Sequence, residues 1–258
     1  KNNCNKMTEL KRPSYQEAAQ AALQKHYPNA VCAFIAGSVI RGTATEKSDI
    51  DITVIQPDDY DDVHRFSTVE QGWPIEFFVQ NEQANQYFMQ KDRERGMAVM
   101  MDMMCNGEIY PEESATSLRI RAEALKLLEL GPPKLSAEEI DDLRYFITDL
   151  LDDLDADRPH LELMGIVARL YEKLGDFYLR TRGEWSGHSK SLGRLLAQNH
   201  PEFANRFEAA FKDAVHCKLE GLIALTEEVL APYQGTLFEG YKRSAPADWR
   251  DFRKLYTK

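Results

Sequence analysis

Two aspartates alternate with two isoleucines in Asp49-Ile50-Asp51-Ile52, at the head of a run, IDITVI, that begins at Ile50 and reads as a buried strand. Side chains alternate across a strand, so Asp49 and Asp51 share one face while Ile50 and Ile52 share the other. Like charges a few ångströms apart repel, and burial makes the repulsion worse. The arrangement persists at low cost where a cation sits between the carboxylates, and hard oxygen ligands favour Mg²⁺. Two such ions, held roughly 3.5–4 Å apart, can clamp an in-line displacement at phosphorus. The competing reading is an edge strand with its polar face in solvent, since D-x-D strings are common.

The surroundings of the pair narrow the choice. The apolar run VCAFIAG ends at Gly37-Ser38. Glycine lets a backbone approach a ligand closely. Amides at such a turn, with the Ser38 hydroxyl, can hold phosphate oxygens. An ordinary turn glycine is the alternative. Further on, Glu76 is a lone acid in the β-rich run WPIEFFVQ, with Ile75 and Phe77 on the opposite face. If that strand neighbours IDITVI, Glu76 points at the same metals; otherwise it is an exposed strand glutamate. Arg41 and Lys47, in the loop between the turn and the strand, read as solvated charges.

The first part of the chain mixes helix and strand signals. SYQEAAQAALQKHYP reads as a helix ending at Pro28, VCAFIAG, IDITVI and WPIEFFVQ as three strands, and a helix follows from Glu82 to about Arg95. From about Ser114 the strand signals vanish. LRIRAEALKLLEL is helical and stops at Gly131-Pro132-Pro133. Ser136 with Glu139 three residues later forms a capping box, and Ile140, Leu143, Ile147, Leu150 and Leu154 then fall on one helix face. ELMGIVARLYEKLGDFYLR repeats that pattern. The stretch from Pro201 to Leu230 reads as one long helix. The expected organisation is a small α/β domain over residues 1–112 and a helical bundle over 113–258.

Composition excludes several classes. The net charge of −10 and acidic clusters such as DLLDDLDADR leave no basic stripe for a nucleic-acid backbone. No run is long enough to span a bilayer, and the N-terminal KNNCNKMTELKRPSY lacks the apolar segment of a secretory leader. Cys4, Cys32, Cys105 and Cys217 are far apart, form no C-x-x-C pair, and read as thiols in a reducing compartment. A cytoplasmic protein acting on small molecules is expected, and an acidic cleft would favour a cationic one.

AGS, ten residues, then DID, then a later strand acid resembles the signature of the DNA polymerase β-like nucleotidyltransferase superfamily. The resemblance covers residues 31–80. GSVIRGTATEKSDIDITV is similar in particular to the small aminoglycoside and lincosamide nucleotidyltransferases, which pair a catalytic domain of α/β (α+β) class, built on a small mixed sheet, with a C-terminal helical bundle. The resemblance implies that Gly37 and Ser38 cradle the triphosphate, that Asp49 and Asp51 hold two Mg²⁺ ions, and that Glu76 completes the metal site or acts as the base. It further implies that Lys190, in RGEWSGHSKSLGRLL between two helices, reaches nucleotide phosphates. The implied reaction moves a nucleoside monophosphate, AMP from ATP, onto a hydroxyl of a small molecule, an aminoglycoside-like cation being one option. The alternatives are a nucleotidyltransferase that modifies a partner protein and a nucleotide-binding regulator without turnover.

Overall fold

The computed structural model describes residues 12–246 and 249–250; Cys4 lies outside the described residues. The chain divides into two compact units, Lys1–Pro132 and Pro133–Lys258.

The first unit opens with helix α1 (Tyr15–His26), capped by a reciprocal pair in which Ser14 and Glu17 satisfy each other's end of the first turn. Five strands follow: β1 (Cys32–Ala36), β2 (Ile50–Ile55), β3 (His64–Glu70), β4 (Trp73–Gln80) and β5 (Glu108–Tyr110), in the spatial order β3-β4-β2-β1-β5. The sheet is mixed. β2 and β4 run parallel, whereas β1 pairs antiparallel with both β2 and β5, and β3 pairs antiparallel with β4. Helices α2 (Glu82–Glu94), α3 (Val99–Asn106) and α4 (Ala115–Leu130) complete the unit.

The period-2 pattern sorts the two faces of the sheet. Ile50, Ile52 and Val54 of β2, with Ile75, Phe77 and Val79 of β4, form a core with Ala18, Ala22 and Leu23 of α1. The residues between them point the other way. There Thr53 donates to the Met100 sulfur of α3 at 3.8 Å, and Gln80 donates to the same sulfur at 3.7 Å. Asp51 and Glu76 share that second face, nearer the start of their strands.

Two strands escape the sequence reading. β3 has an alternating burial pattern but holds a histidine, an arginine and two hydroxyl residues, so its apolar content is low. A two-residue turn joins it to β4, with Gln71 at φ 49° and Gly72 at φ 82°, the left-handed pair that matches strand twist in a tight hairpin. β5 is three residues long and carries almost no periodicity.

The unit boundary falls at Pro132–Pro133, twenty residues beyond the expected 112. The helix α4 is tied to the first unit. Arg121 donates to the carbonyls of Gly107 at 2.6 Å and Met104 at 3.2 Å, and Arg119 grips Glu82 of α2 through two hydrogen bonds of 2.8 and 2.7 Å. The chain breaks only after Leu130, where Gly131 takes φ 71° ahead of the two prolines.

After Ser114 every helix and strand assigned among the described residues is helical. The second unit contains α5 (Ala137–Asp152), α6 (His160–Arg180), α7 (Ser189–Asn199), α8 (Pro201–Ala214), α9 (Glu220–Leu230) and a 3₁₀ turn, Ala231–Tyr233. The Ser136–Glu139 capping box is present, and Ile147, Leu170, Leu174, Phe177 and Leu222 lie at the centre of a separate core. The stretch read as one long helix is two. Cys217 adopts φ 61°, and the Lys218 amide returns to the Asp213 carbonyl at 3.1 Å, which ends α8 and reverses the chain before α9.

Ile52 is fully buried on the face opposite the acids. Ile52→Ala is expected to lower stability by about 2–5 kcal/mol in urea unfolding; a loss below about 1 kcal/mol would show that this face is not packed as described.

Candidate active site

The parallel register of β2 and β4 sets Asp51 directly beside Glu76. Asp49 stands one residue ahead of β2, on the same side as Asp51 by alternation. One ligand atom from each of Asp49, Asp51 and Glu76 lies within 4.8 Å of the others. Asp49 is exposed and the other two are half-buried, so the group opens toward solvent. Three hard oxygen donors in that space fit a divalent cation such as Mg²⁺.

Gly37 forms the wall behind Asp51. The β1–β2 pairing places Ala36 opposite Asp51, so the next residue passes close by. Gly37 has φ +94°, and a Cβ built there would stand 2.6 Å from Asp51 Oδ2. Both the backbone conformation and the space therefore require glycine. Ser38 begins the turn that follows, where the Thr43 amide donates to the Ser38 carbonyl at 3.1 Å.

The charge around the group is uneven. Burial, and then the neighbouring carboxylates of Asp49 and Glu76, push the Asp51 carboxyl up to about 6, while Arg41 and Arg65 pull it back. Arg41 is bound to Asp102 of α3 at 3.4 Å, and Asp102 in turn accepts from Asn106 at 2.7 Å. Arg65 of β3 makes an ion pair with Glu76 through Nη2 and Oε2. Beside the acids, a shallow cavity of about 340 Å³ has Asp49 and Glu76 at one side and Ser67, Thr68, Val69 and Pro74 around it.

The structure thus brings together Gly37, Asp49, Asp51 and Glu76, with Ser38 next in the chain. Lys190 belongs to the second unit. It is the second residue of α7 rather than part of a loop, and it borders a mostly apolar groove with Met164, Tyr171, Glu172 and Phe211. Arg65 went unnoticed in the sequence because β3 did. The usable signal was the Gln71-Gly72 pair, which separates two runs of strand-forming residues at hairpin spacing.

Residues 17–128 match the family model described as "Nucleotidyltransferase domain". Over that segment the chain is similar to a nucleotidyltransferase domain, in keeping with the DNA polymerase β-like signature that its sequence resembles. Among solved structures, it is similar to a nucleotidyltransferase-like protein from Exiguobacterium sibiricum 255-15, with 12% identity over 85% of this chain and 77% of that one and a TM-score of 0.42. A likeness at that score adds nothing to the assignment. No curated protein matches the chain in sequence.

Two outcomes follow from this geometry. Gly37→Ala is expected to destabilise the protein by on the order of 1–3 kcal/mol through backbone strain and contact with Asp51. Combining it with Asp51→Ala should recover part of that loss in urea unfolding, since only the strain then remains; strictly additive losses would rule out the contact. The second concerns pH. A carboxyl whose folded value is raised binds its proton more tightly in the folded state, so stability is greatest below the unfolded value and falls as pH rises toward the folded one. In a chelating buffer, wild-type protein should therefore lose on the order of 1–3 kcal/mol relative to Asp51→Asn between about pH 4 and about pH 6. Parallel pH profiles for the two proteins would exclude Asp51 as the titrating group.

Proposed function

We propose that this chain transfers a nucleoside monophosphate, AMP from ATP, to a hydroxyl of a small molecule, with two Mg²⁺ ions at Asp49, Asp51 and Glu76. The observation that carries the reading is the meeting of three carboxylates from adjacent strands, within 4.8 Å, beside a glycine that admits no side chain. A structural role does not account for it, because mutual repulsion makes such a group costly to the fold unless a cation occupies it. The bound Mg²⁺ supplies neutralisation of phosphate charge and orientation of the α-phosphorus.

The chain's own residues then have distinct tasks. The turn at Gly37 and Ser38 binds phosphate oxygens through its amides and the Ser38 hydroxyl. Asp49 and Asp51 would hold the metal ions, and their negative charge is what a divalent cation would neutralise there. A carboxylate, Glu76 in this reading, takes the proton of the acceptor hydroxyl. The acceptor oxygen bonds to the α-phosphorus as the bridge to the β-phosphate breaks, and pyrophosphate leaves with that bond's electron pair. Positioning and charge stabilisation account for most of the acceleration. The cavity beside Asp49 and Glu76 is the space an acceptor would use.

An aminoglycoside-like cation is the acceptor class we favour, supported by the net charge of −10 and by acids at the cavity edge. We take the enzyme to be cytoplasmic and without nucleic-acid or membrane partners on the acidic balance of its sequence; separately, among the described residues no helix is long and apolar enough to cross a membrane.

The test is to incubate purified protein with Mg²⁺ and each α-labelled nucleoside triphosphate across a panel of hydroxyl compounds. Label should move from ATP to one acceptor class as pyrophosphate appears. Asp49→Asn and Asp51→Asn should each reduce transfer by on the order of 10²-fold or more without loss of fold. Glu76→Gln should slow the transfer step by about 10²–10⁴-fold while nucleotide binding survives if Glu76 is the base. Near-normal turnover in either aspartate variant would refute the two-metal assignment, and wild-type kinetics for Glu76→Gln would remove Glu76 from the site.

A further inference from the structure

Arg65 belongs to no motif, yet it is in direct contact with the acid group. It projects from β3, at the edge of the sheet, where the ladder sets Arg65 opposite Phe78 and Ser67 opposite Glu76. Its guanidinium crosses diagonally to Glu76 Oε2, and its central carbon lies 4.7 Å from the centroid of the Phe78 ring. The ring and the carboxylate together fix the direction of the side chain. The Arg65 side chain is 61% exposed and that of Glu76 23%. A pair that open contributes little to holding a fold together. The other arginine near the acids, Arg41, is engaged with Asp102.

We propose that Arg65 is a positioning residue for Glu76: it occupies one carboxylate oxygen, sets the direction of the other, and competes with a divalent cation for the group. The inference rests on the two-metal reading above. Its physical content is a trade of opposite signs. A guanidinium on a ligand oxygen takes up a lone pair and repels an approaching dication, so it weakens metal binding. It also orients the carboxylate for proton transfer, which an unrestrained glutamate does less well. An arginine kept only for stability would move neither quantity.

Mn²⁺ alone, bound to the nucleotide-free full chain and counted by electron paramagnetic resonance, tests this without reference to activity. Arg65→Met keeps an unbranched side chain over Phe78 and removes the charge. It should tighten Mn²⁺ binding by on the order of three- to tenfold and lower kcat by about 10–100-fold with little change in KM. Arg65→Lys should return the Mn²⁺ affinity toward wild type but recover only part of kcat, because an ammonium lacks the planar fork. In a Glu76→Gln background the Arg65→Met effect on Mn²⁺ should shrink below about twofold, since its partner carboxylate is gone. An unchanged Mn²⁺ affinity in Arg65→Met overturns the inference, as does an equal tightening in the Glu76→Gln background, which would reduce Arg65 to a distant charge. Asp51→Asn separates the two levels. If it abolishes Mn²⁺ binding while Arg65→Met does nothing, only the Arg65 role fails. If Mn²⁺ does not bind, or Asp51→Asn leaves its affinity unchanged, the two-metal reading fails and the Arg65 role with it.

Discussion

The parallel pairing of β2 with β4 is the constraint on which the site depends. Among the described residues it is the one parallel pair in an otherwise antiparallel sheet, and it aligns Asp51 with Glu76 and Ile52 with Phe77. A slip of one residue in either strand would turn an acid into the α1 core and an isoleucine or phenylalanine out of it. The apolar face is therefore what holds the register. Burial of Ile50, Ile52, Ile75 and Phe77 against α1 opposes any slip, and the acids are carried into place by the requirement that the other half of each strand point away.

Much of this was legible in the sequence. Alternation told which residues share a face, the spacing from Gly37 to Asp49 set the turn and loop, and the lone acid in WPIEFFVQ identified the third carboxylate. The strands that carried these residues were apolar enough to be seen. β3 and β5 were not, because an edge strand can be polar and a three-residue strand has no period to detect. Arg65 was lost with β3, and so was the ion pair that bears on Glu76. The adjacency of β2 and β4 was not legible either. Pairing between strands some twenty residues apart depends on where the β3–β4 hairpin folds back, a tertiary fact with no local trace.

The helical half was read well as a class and less well in its divisions. Its periodicity and the Ser136 cap survive as α5 and α6, because amphipathic stripes and capping boxes are local chemistry. The break after Ala214 left no proline and no glycine until Gly221. There Cys217 takes a left-handed conformation that ordinary residues adopt only when the surroundings compel it. The boundary between the units was misplaced for a related reason. α4 is helical like the bundle, but Arg119 fastens it to α2 and Arg121 to the end of α3 and Gly107 after it, and such long-range bonds are invisible to periodicity.

The closeness of Gly37 to Asp51 also bears on how such a protein can change through descent. A side chain at 37 meets a carboxylate at 51, and a longer or shifted acid at 51 meets the backbone at 37. Position 37 therefore has no neutral neighbour among single substitutions, whereas the limit on position 51 is the size of its side chain toward the Gly37 backbone. Position 37 stays glycine whatever stands at 51, because its φ of +94° strains any side chain. The loop from 41 to 47, exposed throughout and free of that contact, is open to wide variation between them. Lineages of this domain should accordingly differ most in the stretch that joins their two least changeable residues.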